Sequence, residues 1–87
     1  MKKKESFILR NIGGSHVMVP VGVTSTKFNG MITANESAAF IWEHIEEVDS
    51  VEELISMVCS EFEVNPERAR EDCEKLVAQM KKAGWIE

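Results

Sequence analysis

The chain has 87 residues, 44% apolar and 29% charged, the composition of one soluble globular domain spanning residues 1–87 with one modest core. No apolar run approaches the roughly 20 residues needed to cross a bilayer, no apolar stretch follows the basic opening MKKKESF as a signal peptide requires, and two cysteines make no disulfide framework, so a cytoplasmic protein without a membrane partner is expected. The net charge of −5 opposes general nucleic-acid binding, where neutralising phosphates dominates affinity.

Lys2, Lys3 and Lys4 form the basic run at the start and are expected to be a frayed, solvated terminus. Phe7 and Leu9 then alternate with Ile8 and Arg10. Gly13-Gly14 can take the positive φ values of a tight two-residue turn. Val17, Val19 and Val21 alternate with His16, Met18 and Pro20, so a β-hairpin is predicted over residues 6–20. Pro20 cannot donate a ladder hydrogen bond and marks an edge or an end. The stretch VGVTSTKFNG is expected to be irregular, with a short extended piece near residues 25–28. Gly30, Met31, Ile32, Thr33 and Ala34 are predicted to form a third strand. So short a strand has little stability alone, and its backbone needs a partner.

Three helices are predicted after it. Asn35 caps the first, over residues 35–47, and Glu36 adds negative charge to its first turn. Ala38, Ile41, Trp42 and Ile45 share one of its faces, and Phe40 sits off it. Ser50 and Glu53 make a capping box for the second, whose stripe is Val51, Leu54, Ile55, Val58 and Phe62. Asn65 caps the third, with Pro66 at its first position and Ala69, Cys73, Leu76, Val77 and Met80 along one face. Gly84 sits where a left-handed C-terminal residue belongs, and Trp85-Ile86 is expected to clasp back on the helices. The predicted class is therefore α+β: an N-terminal three-stranded antiparallel sheet followed by three α-helices, winged-helix-like because a short connection joins the last two helices.

Chemistry-bearing residues are sparse. His16 and His44 lack carboxylate or cysteine neighbours at ligand spacing, so neither metal nor cofactor is expected. Cys59 and Cys73 lie on or beside apolar stripes and read as small core hydrophobes. Gly13-Gly14 is followed by neither a Walker lysine nor a helix. The many carboxylates read as a solvated face, and no nucleophile has an evident base, so the chain is not expected to be an enzyme. A DNA-binding winged-helix regulator is the alternative that the shape permits. Residues 67–82 carry five cations and four carboxylates, with the acids in the N-terminal half that usually meets base edges, which argues against it. A structural adaptor docking through the acidic face is a third possibility.

From Phe28 to the closing Ala83-Gly84-Trp85-Ile86 the chain resembles the PqqD-like family, named for coenzyme PQQ synthesis protein D. The matching features are Asn35 before the helix, the Ile41-Trp42 pair, Ser50-Val51-Glu52-Glu53-Leu54, and that C-terminal run; the hairpin FILRNIGGSHVMVPVG fits as well. Family members usually carry a larger apolar residue where Ala34 stands. The resemblance implies a recognition element that holds the leader of a ribosomally made precursor peptide for a maturation enzyme, often a radical SAM protein. It also implies that the peptide adds as a strand beside the third strand, against the third helix. The peptide-binding residues expected on that basis are Gly30, Met31, Ile32, Thr33 and Ala34, with Cys73, Val77 and Met80 as apolar floor and Lys81 at the rim for acidic leader residues. A strand edge with free donors and acceptors can equally pair with its own copy, so a homodimer is a further expectation.

Overall fold

The computed structural model describes residues 1–28 and 30–87; Asn29, in the stretch expected to be irregular, lies outside the described residues. Strands β1 (Phe7–Ile12) and β2 (Ser15–Pro20) form the hairpin. Its turn is Gly13-Gly14, with φ of +59° and +84°, a type I′ geometry that side chains with a Cβ resist. The Gly14 N–H donates to the Asn11 side-chain oxygen at 3.1 Å. Strand β3 (Ile32–Ala34) is shorter than expected and pairs with β2, giving an all-antiparallel sheet of order β1-β2-β3.

The extended piece expected near residues 25–28 does not form. Gly22–Thr26 is a 3-10 turn, because its short polar side chains bond to local backbone instead. The Ser25 and Thr26 hydroxyls donate to the carbonyls of Gly22 and Val23, each at 2.6 Å. Thr24 is buried and bridges to the chain start: its Oγ1 donates to Glu5 at 2.8 Å and accepts from the Ser6 N–H at 2.7 Å. Lys27 closes on the same Glu5 carboxylate at 2.7 Å.

Helices α1 (Glu36–His44), α2 (Val51–Glu61) and α3 (Pro66–Lys82) follow. All three expected caps form. Asn35, Ser50 and Asn65 accept from the N–H groups of Ala38 at 2.8 Å, Glu53 at 3.3 Å and Glu67 at 2.8 Å. The first helix tightens into a 3-10 turn at Ile45–Glu47 instead of running on as α-helix. The Met1 amine donates to the carbonyls of Ile45 and Val48, supplying partners where helical bonding stops. α3 ends in a Schellman motif: Gly84 at φ +79° sends its N–H to Lys81, and Trp85 sends its N–H back to Met80.

That reversal brings the C-terminus onto the N-terminus. Ile86 pairs antiparallel with Lys3, with Lys4 N–H to Trp85 C=O at 2.7 Å and Glu87 N–H to Lys2 C=O at 2.9 Å. The lysine run is therefore not the frayed tail expected, since the clasp supplies its backbone with partners; the Lys3 ammonium sits 4.6 Å from the centre of a Trp42 ring. Under the clasp, Phe7 meets Trp42 at 5.6 Å and Trp85 at 4.8 Å between ring centres. The core runs from there through Ile41, Ile45, Leu54, Cys73 and Met80, each at most 2% exposed.

Candidate functional site

Side chains alternate across a strand, and Met18 and Ile32 pack on the core. Met18 pairs with Ile32 and His16 with Ala34, so Ile32 and Ala34 face the helices while Thr33, opposite Val17, faces away. Backbone groups alternate too. In a two-residue hairpin the flanking pair, Ile12 and Ser15, exchanges hydrogen bonds, so Val17 and Val19 direct their backbone groups at β1. The bond from Val21 N–H to Ser6 C=O at 3.0 Å continues that parity. His16 and Met18 therefore serve β3, bonding Ala34 and Ile32. Thr33 lies between these bonded pairs, and its N–H and C=O point off the sheet. Among the described residues β3 has no strand on that side.

A trough of about 370 Å³ runs beside this edge, between β3 and α3. Ile32, Thr33 and Ala34 form one wall, Leu76, Gln79, Met80 and Ala83 the other, with Met18, Ala38 and Trp85 closing it. None of its lining residues is charged. At the Asn35 end it continues into a second hollow of about 250 Å³, sharing Asn35, Ala38, Leu76 and Gln79 and adding Arg68, Asp72 and Lys75.

The expected site residues divide on this geometry. Ile32, Thr33, Ala34 and Met80 come together on the trough. Gly30 and Met31 precede β3 and are exposed, Met31 at 62%. Cys73 and Val77, 0% and 4% exposed, belong to the core and do not line the trough, whereas Met80, a core residue at 2% exposed, also reaches its floor. Burial pushes the Cys73 thiol up to about 11, with the nearby Asp72 charge adding to it, so this sulfur is an inert packing group. Lys81 is exposed and does not line the trough. Leu76, Gln79 and Ala83 were not among the expected site residues. Leu76, Met80 and Ala83 recur at helical spacing, so a signal was present; which flank of the apolar stripe meets the strand was not readable from it.

A larger hollow of about 770 Å³ follows the opposite edge, along β1 and α1. Its lining mixes both charge signs, from Lys3 and Arg10 to Glu36, Glu43 and Glu61. One outward carbonyl of that edge, that of Phe7, already accepts from the Trp42 indole at 3.5 Å. The β3 side combines an open backbone edge with an apolar floor, and it is the better site for an extended chain.

Among the described residues no three His, Cys, Asp or Glu side chains converge to hold a metal. None of the described helices is long and apolar enough to cross a membrane. Glu5 is held below the ordinary carboxylate range by hydrogen bonds from Lys27 and Thr24, and Glu52 by those from Arg70. These are the marks of structural ion pairs. In the N-terminal half of α3, Arg70 grips Glu52 with two nitrogens at 2.6 and 2.8 Å, and Arg68 lies 3.4 Å from Asp72. Arg70 is thus engaged with a carboxylate on a helix that a DNA reader would present to phosphates.

Comparison with known proteins adds three findings. A family model described as coenzyme PQQ synthesis protein D (PqqD) matches residues 15–86. No curated protein matches. A solved structure of TbiB1 in complex with the TbiA(beta) leader peptide is similar, with a TM-score of 0.68 and 17% identity over 100% of this chain and 95% of that one. The likeness shows a shared fold, three antiparallel strands followed by three helices.

Proposed function

The chain belongs to the PqqD family, and on that footing we propose that it is a non-catalytic module that binds the leader of a ribosomally made precursor peptide by strand addition. It presents that peptide to a modifying enzyme, of which the radical SAM type is the one the family suggests. The observation that carries this reading is the outward N–H and C=O of Thr33 beside an uncharged trough. Main-chain bonds at the edge supply affinity, and the trough supplies side-chain selection. The leader peptide held by TbiB1, which shares the fold, supports the same role.

In this arrangement Ile32, Ala34, Leu76 and Met80 touch the peptide, while Gly30 and Met31 flank it. Cys73 and Val77 support the floor from the core, and Lys81 acts from beyond the rim. The test is a titration of the isotope-labelled protein with a synthetic leader of the precursor encoded beside it, followed by amide NMR. Shifts at Ile32–Ala34 and along α3 are expected. Shifts confined to other regions would overturn the assignment. Co-purification of the neighbouring maturation enzyme, strengthened by the peptide, is the expected partner result.

A further inference from the structure

The trough is chemically lopsided along its length. The part beside β3 has no charged lining residue, and all the charged groups stand in the extension past Asn35. There Arg68 and Lys75 face a single carboxylate, Asp72, leaving one excess positive charge on a protein whose net charge is −5. The Arg68–Asp72 pair is loose, 3.4 Å long with side chains 72% and 54% exposed. Lys75 has no carboxylate partner among the described residues.

We propose that this trough selects extended peptides with large apolar side chains at two alternate positions and an acidic side chain at the next alternate position. The selection rests on the strand-addition role proposed for the same edge. The spacing follows from register. A visiting residue that bonds Thr33 points its side chain away from the helices, as Thr33 does. Its two neighbours then point inward, one opposite Ile32 and one opposite Ala34. The next inward position lies about 6.6 Å further along, past Ala34 and over Asn35 and Ala38, toward Lys75. The uncharged section, at about 370 Å³, is near the small end of the roughly 300–1,000 Å³ typical of ligand pockets. It therefore suits two apolar side chains, one opposite Ile32 and one opposite Ala34. A carboxylate at the third position meets the excess positive charge, and a lysine there meets repulsion.

The test uses a positional-scanning library of capped nonapeptides against the full chain. The expected result is apolar enrichment at two positions two residues apart, and Asp or Glu two residues beyond. Lys75→Glu should invert the third preference to Lys or Arg and leave the apolar positions unchanged, while Lys75→Gln should flatten it. For single peptides measured by anisotropy, exchanging Glu for Lys at that position should weaken wild-type binding about three- to fivefold, the scale of an exposed ion pair. Raising salt should shrink the difference. Circular dichroism checks that both variants keep their fold. Apolar enrichment without acidic preference, or a preference indifferent to both variants, overturns the proposed selectivity and leaves peptide binding standing. Enrichment of no peptide, with no shift of the Ile32–Ala34 amides, overturns both.

Discussion

Thr33→Pro isolates the backbone of one residue. The outward direction of the Thr33 N–H means that proline removes no bond to β2, and proline is tolerated where the missing donor faces off an edge. Ile32, which precedes it, is already extended, as a residue before proline must be. The fold should therefore survive with a small loss. Binding should not. One main-chain hydrogen bond is worth about 0.5–1.5 kcal/mol net, and stranding the visitor's carbonyl adds to the loss. A total of about 1–2 kcal/mol corresponds to a weakening of about 5- to 30-fold. Fluorescence anisotropy with a labelled leader peptide reads the binding, and urea unfolding reads the stability. Ala34→Pro is the counter-case: it removes a bond to His16 and should lower the urea midpoint instead. If Thr33→Pro bound as tightly as wild type with β2–β3 cross-strand contacts intact, the edge would not be the place where the peptide adds. A collapse of stability in Thr33→Pro alone would mean that the parity is off by one residue.

Other perturbations reach the supports of the site. Leu54, 0% exposed between the helices, should cost about 2–5 kcal/mol as Leu54→Ala, a large share of a small domain's total, and urea melts will show it. Asn35→Ala removes the cap on the Ala38 N–H and should cost about 1 kcal/mol, lowering the thermal midpoint by about 4–8 °C for a domain of this size. Glu5 supplies a pH signature. Its folded carboxyl lies below its ordinary value of 4.5, so the unfolded chain binds the proton more readily. The contribution is complete above that value and is lost as pH falls from about 4.5 through the folded value. Glu5→Gln should flatten this part of the acid limb in urea midpoints taken from pH 7 to 3; an unchanged slope would refute the link from Glu5 to Thr24 and Lys27.

Much of the fold was legible because its signals are local. Gly13-Gly14 has few conformational alternatives to a tight hairpin turn. Asn35, Ser50 and Asn65 each stand one residue before a helix whose first amides need acceptors. Gly84 marks the reversal that aims Trp85 and Ile86 at the core. The misses lie where a local signal was ambiguous or a distant partner intervened. Serine and threonine after Gly22 suit an extended segment or a turn equally. Burial of Thr24 against Glu5 accompanies the choice of turn. The lysines at the start look like a solvated tail until Ile86, more than eighty positions later in the sequence, pairs with Lys3.

The same division holds at the trough. Sequence alone determined that a short strand precedes a capped helix, and that α3 carries an apolar stripe wide enough to serve both a core and a groove. Periodicity reports that a residue is on the stripe, but not which flank is sealed. Only the packing of α3 against α1, α2 and the sheet decided that Cys73 and Val77 belong to the core and that Leu76 and Ala83 line the opening. Likewise only the pairing of β3 with β2, and the absence of a further strand among the described residues, determined that Thr33 turns its backbone outward. Which hydrogen bonds a strand leaves unmade depends on its neighbour's register, and that is a property of two segments together.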